Sequence, residues 1–351
     1  MLAHELRHTA ESDGVLRRTV YVRGENFFPR MSDEIIPGET WKTSLEGADP
    51  DTSGEGARVY REMLRENRGP FLYAEPIEFL IDIRQRVASQ RAMLGIEKDE
   101  SCCSYGGGGV LYHLDARSWR SLYPPHTSGV LEQATLDPGD ATLPAFVRRP
   151  GVKPSDAINA VLEKEAKTSL ECNSMMVAIQ YKGILDALGE ETFNRIFSAQ
   201  DVAIAPAEKL SSGRNDHPLI ERFYESVRVR VSPGKETDDL VPGDWVYFAG
   251  HPKYDKWDRN GAWRGENALY VGDGKFSGFG LYNGDSQVIT HDEIIKVLQD
   301  EAEIAYQRSV STGPPPIKDE IVGLNSHSGW TTVRRLNVTT LRNADPGVGN
   351  R

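Results

Sequence analysis

Glu171-Cys172-Asn173-Ser174-Met175-Met176-Val177-Ala178-Ile179-Gln180-Tyr181-Lys182-Gly183-Ile184-Leu185-Asp186-Ala187-Leu188-Gly189 is the stretch on which the reading of this chain turns. Its apolar run predicts a helix from near Glu171 to Leu188, with Gly189 in the C-cap position. Cys172 then falls at the helix start, where unpaired backbone N–H groups and the positive end of the dipole favour a thiolate. Met176 and Ile179 share its face, so the cysteine points into a packed interior edge, while Tyr181 and Lys182 fall on the solvated part of the helix. Glu171 suits a first-turn carboxylate interacting with the dipole. Local physics leaves two readings open: a buried structural cysteine or a nucleophile.

Working outward, Ser155 is a good N-cap for a preceding helix through Ala157, Ile158, Val161 and Leu162. Further upstream, Ile77, Leu80, Ile81, Val87 and Leu94 recur at helical spacing after Pro76, with Arg84, Arg86 and Arg91 toward solvent and Gly95 as the stop. Glycines 106–109 read as a flexible loop, since no Lys-Ser or Lys-Thr follows to make a phosphate loop, and a strand is expected at 110–114. Residues 123–154 read as irregular, 29–58 as linker, 59–64 as a short helix and Val20-Tyr21-Val22 as a strand. Downstream, 243–290 reads as antiparallel β structure. Its strands are Trp245 to Phe248 and Ala268 to Val271, and Asp273-Gly274 forms a tight turn before Lys275-Phe276. A helix from about Asp292 to Ala305 follows, and the tail after Gly313 reads as loosely ordered.

Composition narrows the function classes. The 351 residues are 38% hydrophobic and 26% charged, with negative mean hydropathy. A net charge of −11 argues against nucleic acid as the main partner, since binding there rests on neutralising phosphates. No run approaches the roughly 18 apolar residues of a membrane span, and the first residues lack an apolar signal core. The three cysteines are Cys102, Cys103 and Cys172. Two are adjacent, so a reducing compartment is expected rather than a disulfide framework. No spacing suggests a zinc or calcium site, and no cofactor is called for.

The second informative stretch runs from Gly261 to Asn267, with Trp263-Arg264-Gly265-Glu266-Asn267 leading into a strand. A carboxylate there can have its pKa raised by desolvation. Reference values for thiol and carboxyl differ by roughly four units, so a working Cys–Glu pair needs a buried carboxyl, a helix-stabilised thiolate, or both.

Glu171-Cys172 with its apolar helix and Tyr181-Lys182, then Leu188-Gly189-Glu190 and Phe193-Asn194, resembles the small bacterial spore-coat transglutaminases. So do Gly243-Asp244-Trp245-Val246-Tyr247-Phe248 and the Trp263 to Asn267 run with Val271-Gly272-Asp273 and Lys275-Phe276. The blocks come in the family's order, and the resemblance covers about 70–310, most closely 170–300. It implies a protein-glutamine γ-glutamyltransferase with Cys172 as nucleophile, Glu266 as its partner and Glu171 as a partly redundant helper. Trp263, Trp245, Asn267 and Phe279 are candidates to line a substrate channel, and the two tryptophans read equally as core aromatics. Phe279, in Ser277-Gly278-Phe279-Gly280, stands where family members tend to carry a histidine. His251 and His291 are the nearest substitutes, each read as a surface loop residue, so a Cys–Glu dyad is the chemistry implied.

The resemblance also implies an α+β fold of the papain-like, compact cell-wall-peptidase type, with helices packed on an antiparallel sheet. The expected layout is an N-terminal extension (1–69), a catalytic domain (70–310) and a C-terminal tail (311–351). Expected partners are proteins carrying glutamine and lysine side chains, with neither nucleic acid nor membrane involved, in a cytoplasmic or spore-associated location. Two alternatives stay open: a glutamine deamidase or other cysteine hydrolase using Cys172, and a non-catalytic interaction protein on the same fold.

Overall fold

Thr168–Leu170, the strand β7 that enters the cysteine helix, is tied down on both sides. It pairs in parallel with β4 (Cys103–Tyr105), and Ser169 exchanges backbone hydrogen bonds with His113 at 2.8 and 2.9 Å. The computed structural model describes residues 4–8, 18–23, 26–30, 59, 76–98, 103–105, 113–121, 146–163, 167–198, 202–204, 223–227, 240–258, 261, 263–282, 286–311 and 330–345. Cys102, glycines 106–109, strand residues 110–112, most of the 29–58 linker and most of the 59–64 helix lie outside the described residues.

The helices are α1 (Pro76–Lys98), α2 (Pro154–Leu162), α3 (Cys172–Leu188), α4 (Glu190–Phe197), α5 (Tyr254–Trp257), α6 (His291–Ser311) and α7 (Val338–Asn343). Near the N-terminus β1 (His4–His8), β2 (Arg18–Arg23) and β3 (Asn26–Arg30) form a small antiparallel sheet. Strands β5 (Trp119–Ser121), β6 (Phe146–Arg148) and β8 (Ala203–Ile204) form another.

The main sheet is antiparallel with the order β13-β12-β11-β10-β14-β9. Its strands are β9 (Tyr224–Val227), β10 (Trp245–Ala249), β11 (Gly265–Gly272), β12 (Lys275–Gly278), β13 (Ile289–Thr290) and β14 (Trp330–Leu336). The β11–β12 hairpin pairs Gly272 with Lys275, leaving Asp273 (φ 53°) and Gly274 (φ 72°) as a two-residue turn whose double positive φ matches sheet twist.

Period-2 alternation sorts this sheet into two faces. Trp245 and Leu269 pack with Met175, Met176 and Ile179 of α3 and with Phe279. Val246, Phe248, Ala268, Tyr270 and Phe276 pack with Ile294 and Leu298 of α6. The sheet therefore lies between α3 on one side and α6 on the other. This is an α+β arrangement, with α3 against the sheet over β11.

Several expectations are corrected. Gly95 does not stop α1, which runs on to Lys98 with Ile96 buried; packing outweighs the roughly 1 kcal/mol glycine costs a helix. Arg86 is buried rather than solvated, because it bonds Asp82 (3.0 Å) and Asp244 (2.8 Å). Tyr181 is fully buried, edge-on to Phe193 and Phe197, whereas Lys182 pairs with Asp186 at 2.5 Å. Lys153, not Ser155, occupies the N-cap position of α2, without a side-chain cap hydrogen bond and with Pro154 in the first turn; the Ser155 N–H donates to Asn194 Oδ1 (2.9 Å). Leu114 is outside any strand, and within the span read as irregular 146–148 is the strand β6. His251 is buried, stacked on Trp257 with ring centroids 4.5 Å apart. The tail is not loose at 330–343: β14 sits inside the main sheet between β10 and β9.

Asp244 knits these parts together. Fully buried, it accepts hydrogen bonds from Arg86 of α1 (2.8 Å) and from Arg335 of β14 (2.8 and 2.6 Å). Burial alone would raise its carboxyl, but the Arg335 and Arg86 guanidiniums outweigh it and hold the pKa below the ordinary value.

Candidate active site

Cys172 opens α3 directly after β7, and Glu171 between them is the helix cap. The Glu171 carboxylate accepts from the N–H groups of Asn173 (2.7 Å) and Ser174 (2.5 Å), two of the donors a helix start leaves unpaired. Its Oε2 lies 3.7 Å from Cys172 Sγ. Desolvation raises the Glu171 pKa, and the Ser174 and Asn173 hydrogen bonds oppose it.

From the sheet side, β11 brings two residues to the sulfur. Asn267 lies on the α3 face, two positions before Leu269, and its Nδ2 donates to Cys172 Sγ at 3.5 Å. Its Oδ1 accepts from Trp245 Nε1 at 2.8 Å, so the indole fixes which way the amide is turned. Glu266 sits near the start of β11, where β12 reaches only as far as Ala268. Its Oε1 accepts from the Asn267 N–H (3.1 Å), and its carboxyl and the Cys172 thiol each act on the other's pKa. Cys172, Glu266 and Asn267 are all buried.

Burial dominates the electrostatics. It pushes the Cys172 thiol well up, and the Glu266 and Glu171 charges push the same way; the Asn267 amide pulls back. Burial likewise raises the Glu266 carboxyl well above its ordinary value, reinforced by Glu171 and opposed by the Asn267 N–H and the thiol. A dry pocket that already holds carboxyl groups disfavours each further negative charge.

Residues 142–312 match the family model described as protein-glutamine gamma-glutamyltransferase. That stretch of the chain is similar to the transglutaminases. A protein-glutamine gamma-glutamyltransferase of Bacillus pumilus (strain SAFR-032) is 25% identical over 178 residues, 51% of this chain and 61% of the relative. One from Bacillus mycoides (strain KBAB4) is 31% identical over 165 residues, 47% of this chain and 50% of the relative. The chain thus spans about half to three fifths of the length of these relatives. Among solved structures, a transglutaminase from Geobacillus stearothermophilus superposes with a TM-score of 0.49 at 20% identity, over 77% of this chain and 98% of that one.

Within the stretch similar to transglutaminases, the fold brings Cys172, Glu171, Glu266 and Asn267 together. Trp245 reaches the sulfur only through Asn267. Phe279 is buried in the core cluster that holds α3, and Trp263, partly exposed, packs toward Tyr254 and Ala302. His291 starts α6, its ring 6.0 Å from that of Phe248. The sequence reading missed the amide on the sulfur, although period-2 alternation from Leu269 back to Asn267 signals it. It also missed Asn173 Nδ2, on the residue after the cysteine, a buried donor with no hydrogen-bond partner among the described residues. Glu171 occupies the Asn173 and Ser174 N–H groups, two of the backbone donors at the helix start. Among the described residues no group of three His, Cys, Asp or Glu could hold a metal ion, and no helix is long and apolar enough to cross a membrane.

Proposed function

We propose that the chain is a protein-glutamine γ-glutamyltransferase that joins glutamine to lysine side chains through a thioester on Cys172. The observation that carries this reading is a helix-start thiol 3.7 Å from the Glu171 carboxyl and under the charge of Glu266, in a stretch similar to transglutaminase sequence. The cysteine on a helix and its partner on an antiparallel sheet suit a papain-like core of the compact cell-wall-peptidase kind.

The cycle moves one proton back and forth. Glu266, ionised, takes the Cys172 proton, and the buried pair carries one negative charge before and after the transfer. Its raised pKa makes it a stronger base than an ordinary carboxylate, while the same burial also raises the thiol it must deprotonate. The thiolate forms a C–S bond to the glutamine carboxamide carbon; the C–N bond then breaks as Glu266 returns the proton to the leaving nitrogen, and ammonia departs. A neutral lysine amine attacks the thioester, gives a proton to Glu266, and the C–S bond breaks. The isopeptide is released and the proton goes back to sulfur. Water in place of the amine yields glutamate. Glu171 supports the site by capping α3, and its proximity lets it substitute in part as proton acceptor.

A fluorescent primary amine offered with a glutamine-rich protein tests this reading. Covalent incorporation is expected in the wild type and absent in Cys172→Ala. Glu266→Gln should lose activity by about a hundredfold or more, the scale of a general acid–base group. Ammonia release without incorporation would assign a deamidase, neither signal a binding protein, and full activity in Glu266→Gln would sink the dyad.

A further inference from the structure

We infer that Asn267 is the hydrogen-bond donor that stabilises the Cys172 thiolate, and that Trp245 is a positioning residue that turns its amide toward the sulfur. The inference rests on Cys172 being the nucleophile, as proposed above, and adds the source of the charge stabilisation. A helix start would ordinarily supply it through its backbone donors. Here Glu171 takes the N–H groups of Asn173 and Ser174, and it brings a carboxyl to within 3.7 Å of the sulfur. Glu266 adds a second carboxyl. A thiolate forming there needs a donor that is neither a carboxyl nor already occupied.

Asn267 Nδ2 meets that need. It lies 3.5 Å from Sγ, within reach for a hydrogen bond to sulfur, and the residue is 6% exposed, so water competes little for the sulfur. An asparagine amide can present oxygen or nitrogen, and oxygen toward sulfur would repel a thiolate. The Trp245 indole N–H removes that ambiguity because it only donates. At 2.8 Å it claims Oδ1 and leaves the NH2 group facing Cys172. Trp245 is itself held by the core, edge-on to Tyr224 and under the Arg334 guanidinium, 4.7 Å from the ring centroid. The chain of donors therefore starts in a rigid part of the sheet and ends on the reacting atom.

The test reads the thiolate itself and needs no acyl substrate. The pH dependence of iodoacetamide alkylation would be followed at the Cys172 peptide by mass spectrometry, with Cys172→Ala as the blank. Asn267→Leu, close in volume but without the donor, should alkylate about tenfold more slowly at neutral pH, the scale of a hydrogen bond to a charged group, with its profile moved to higher pH. Trp245→Phe should move it the same way by a few-fold. The double variant should match Asn267→Leu, because the indole acts only through the amide; additive effects would overturn the positioning role. Should Asn267→Leu fail to fold, Trp245→Phe carries the test. Unchanged profiles in folded variants would overturn the donor assignment alone. A wild-type Cys172 that resists alkylation from neutral to alkaline pH would overturn the nucleophile reading and this inference with it.

Discussion

Glu266 combines two properties that pull against each other, burial at the sheet end and a carboxyl that must ionise to serve as the proposed base. Burial raises its pKa well above the ordinary carboxylate value. Its stabilising contribution is therefore fully present below that ordinary value and is lost as pH rises through the raised one, since only the unfolded chain gives up its proton easily. Glu266→Gln carries no such proton. Thermal melts across pH should find its Tm similar to wild type in acid and higher at neutral pH, alongside the activity loss predicted above. A Tm that falls at neutral pH would show that the ionised carboxyl stabilises the fold. At this scale Cys172, Glu171 and Glu266 were legible because they sit in ordered motif blocks. Asn267 was visible only as one of several channel candidates, since its contact to sulfur depends on strand phase. His251 and Arg86 were misjudged because a partner distant in the sequence decides whether a polar side chain can be buried.

The elements were legible where a local signal governs them. The α3 span, the Gly189 cap and the Asp273-Gly274 turn each follow from a few adjacent residues. Gly95 misled because α1 is held by packing against α3, which a local stop signal does not report. The same contact explains Gly183 in mid-helix. A Cβ there would run into Ser89 Oγ and stand 3.0 Å from the Gln85 carbonyl oxygen, beside hydrogen bonds from Gln85 Nε2 (2.6 Å) and Ser89 Oγ (3.2 Å) to Gln180 Oε1. Gly183→Ala should therefore destabilise the protein by about 1–3 kcal/mol, the cost of overpacking, despite alanine's higher helix propensity. Chemical denaturation measures this; an equal or higher midpoint would mean that α1 and α3 are less closely held.

In the whole molecule, the sheet that carries Asn267 and Glu266 is completed from far along the chain. β14 pairs with β10 on one side and β9 on the other, and Arg335 joins Asp244 to it. No local pattern announces such a strand, because its stabilisation comes from partners about ninety positions away in sequence (Trp245 opposite Arg334). The α+β class could be read in advance from the apolar helix and the alternating strands. The central place of β14 and the strand β7 that feeds Cys172 could not. In the proposed cycle Cys172 accepts the acyl group of a glutamine. A glutamine-bearing peptide, incubated without amine and quenched in acid, should leave its mass less ammonia on the Cys172 peptide in a hydroxylamine-labile bond. Folded protein with no such adduct, or with the adduct elsewhere, would contradict the account.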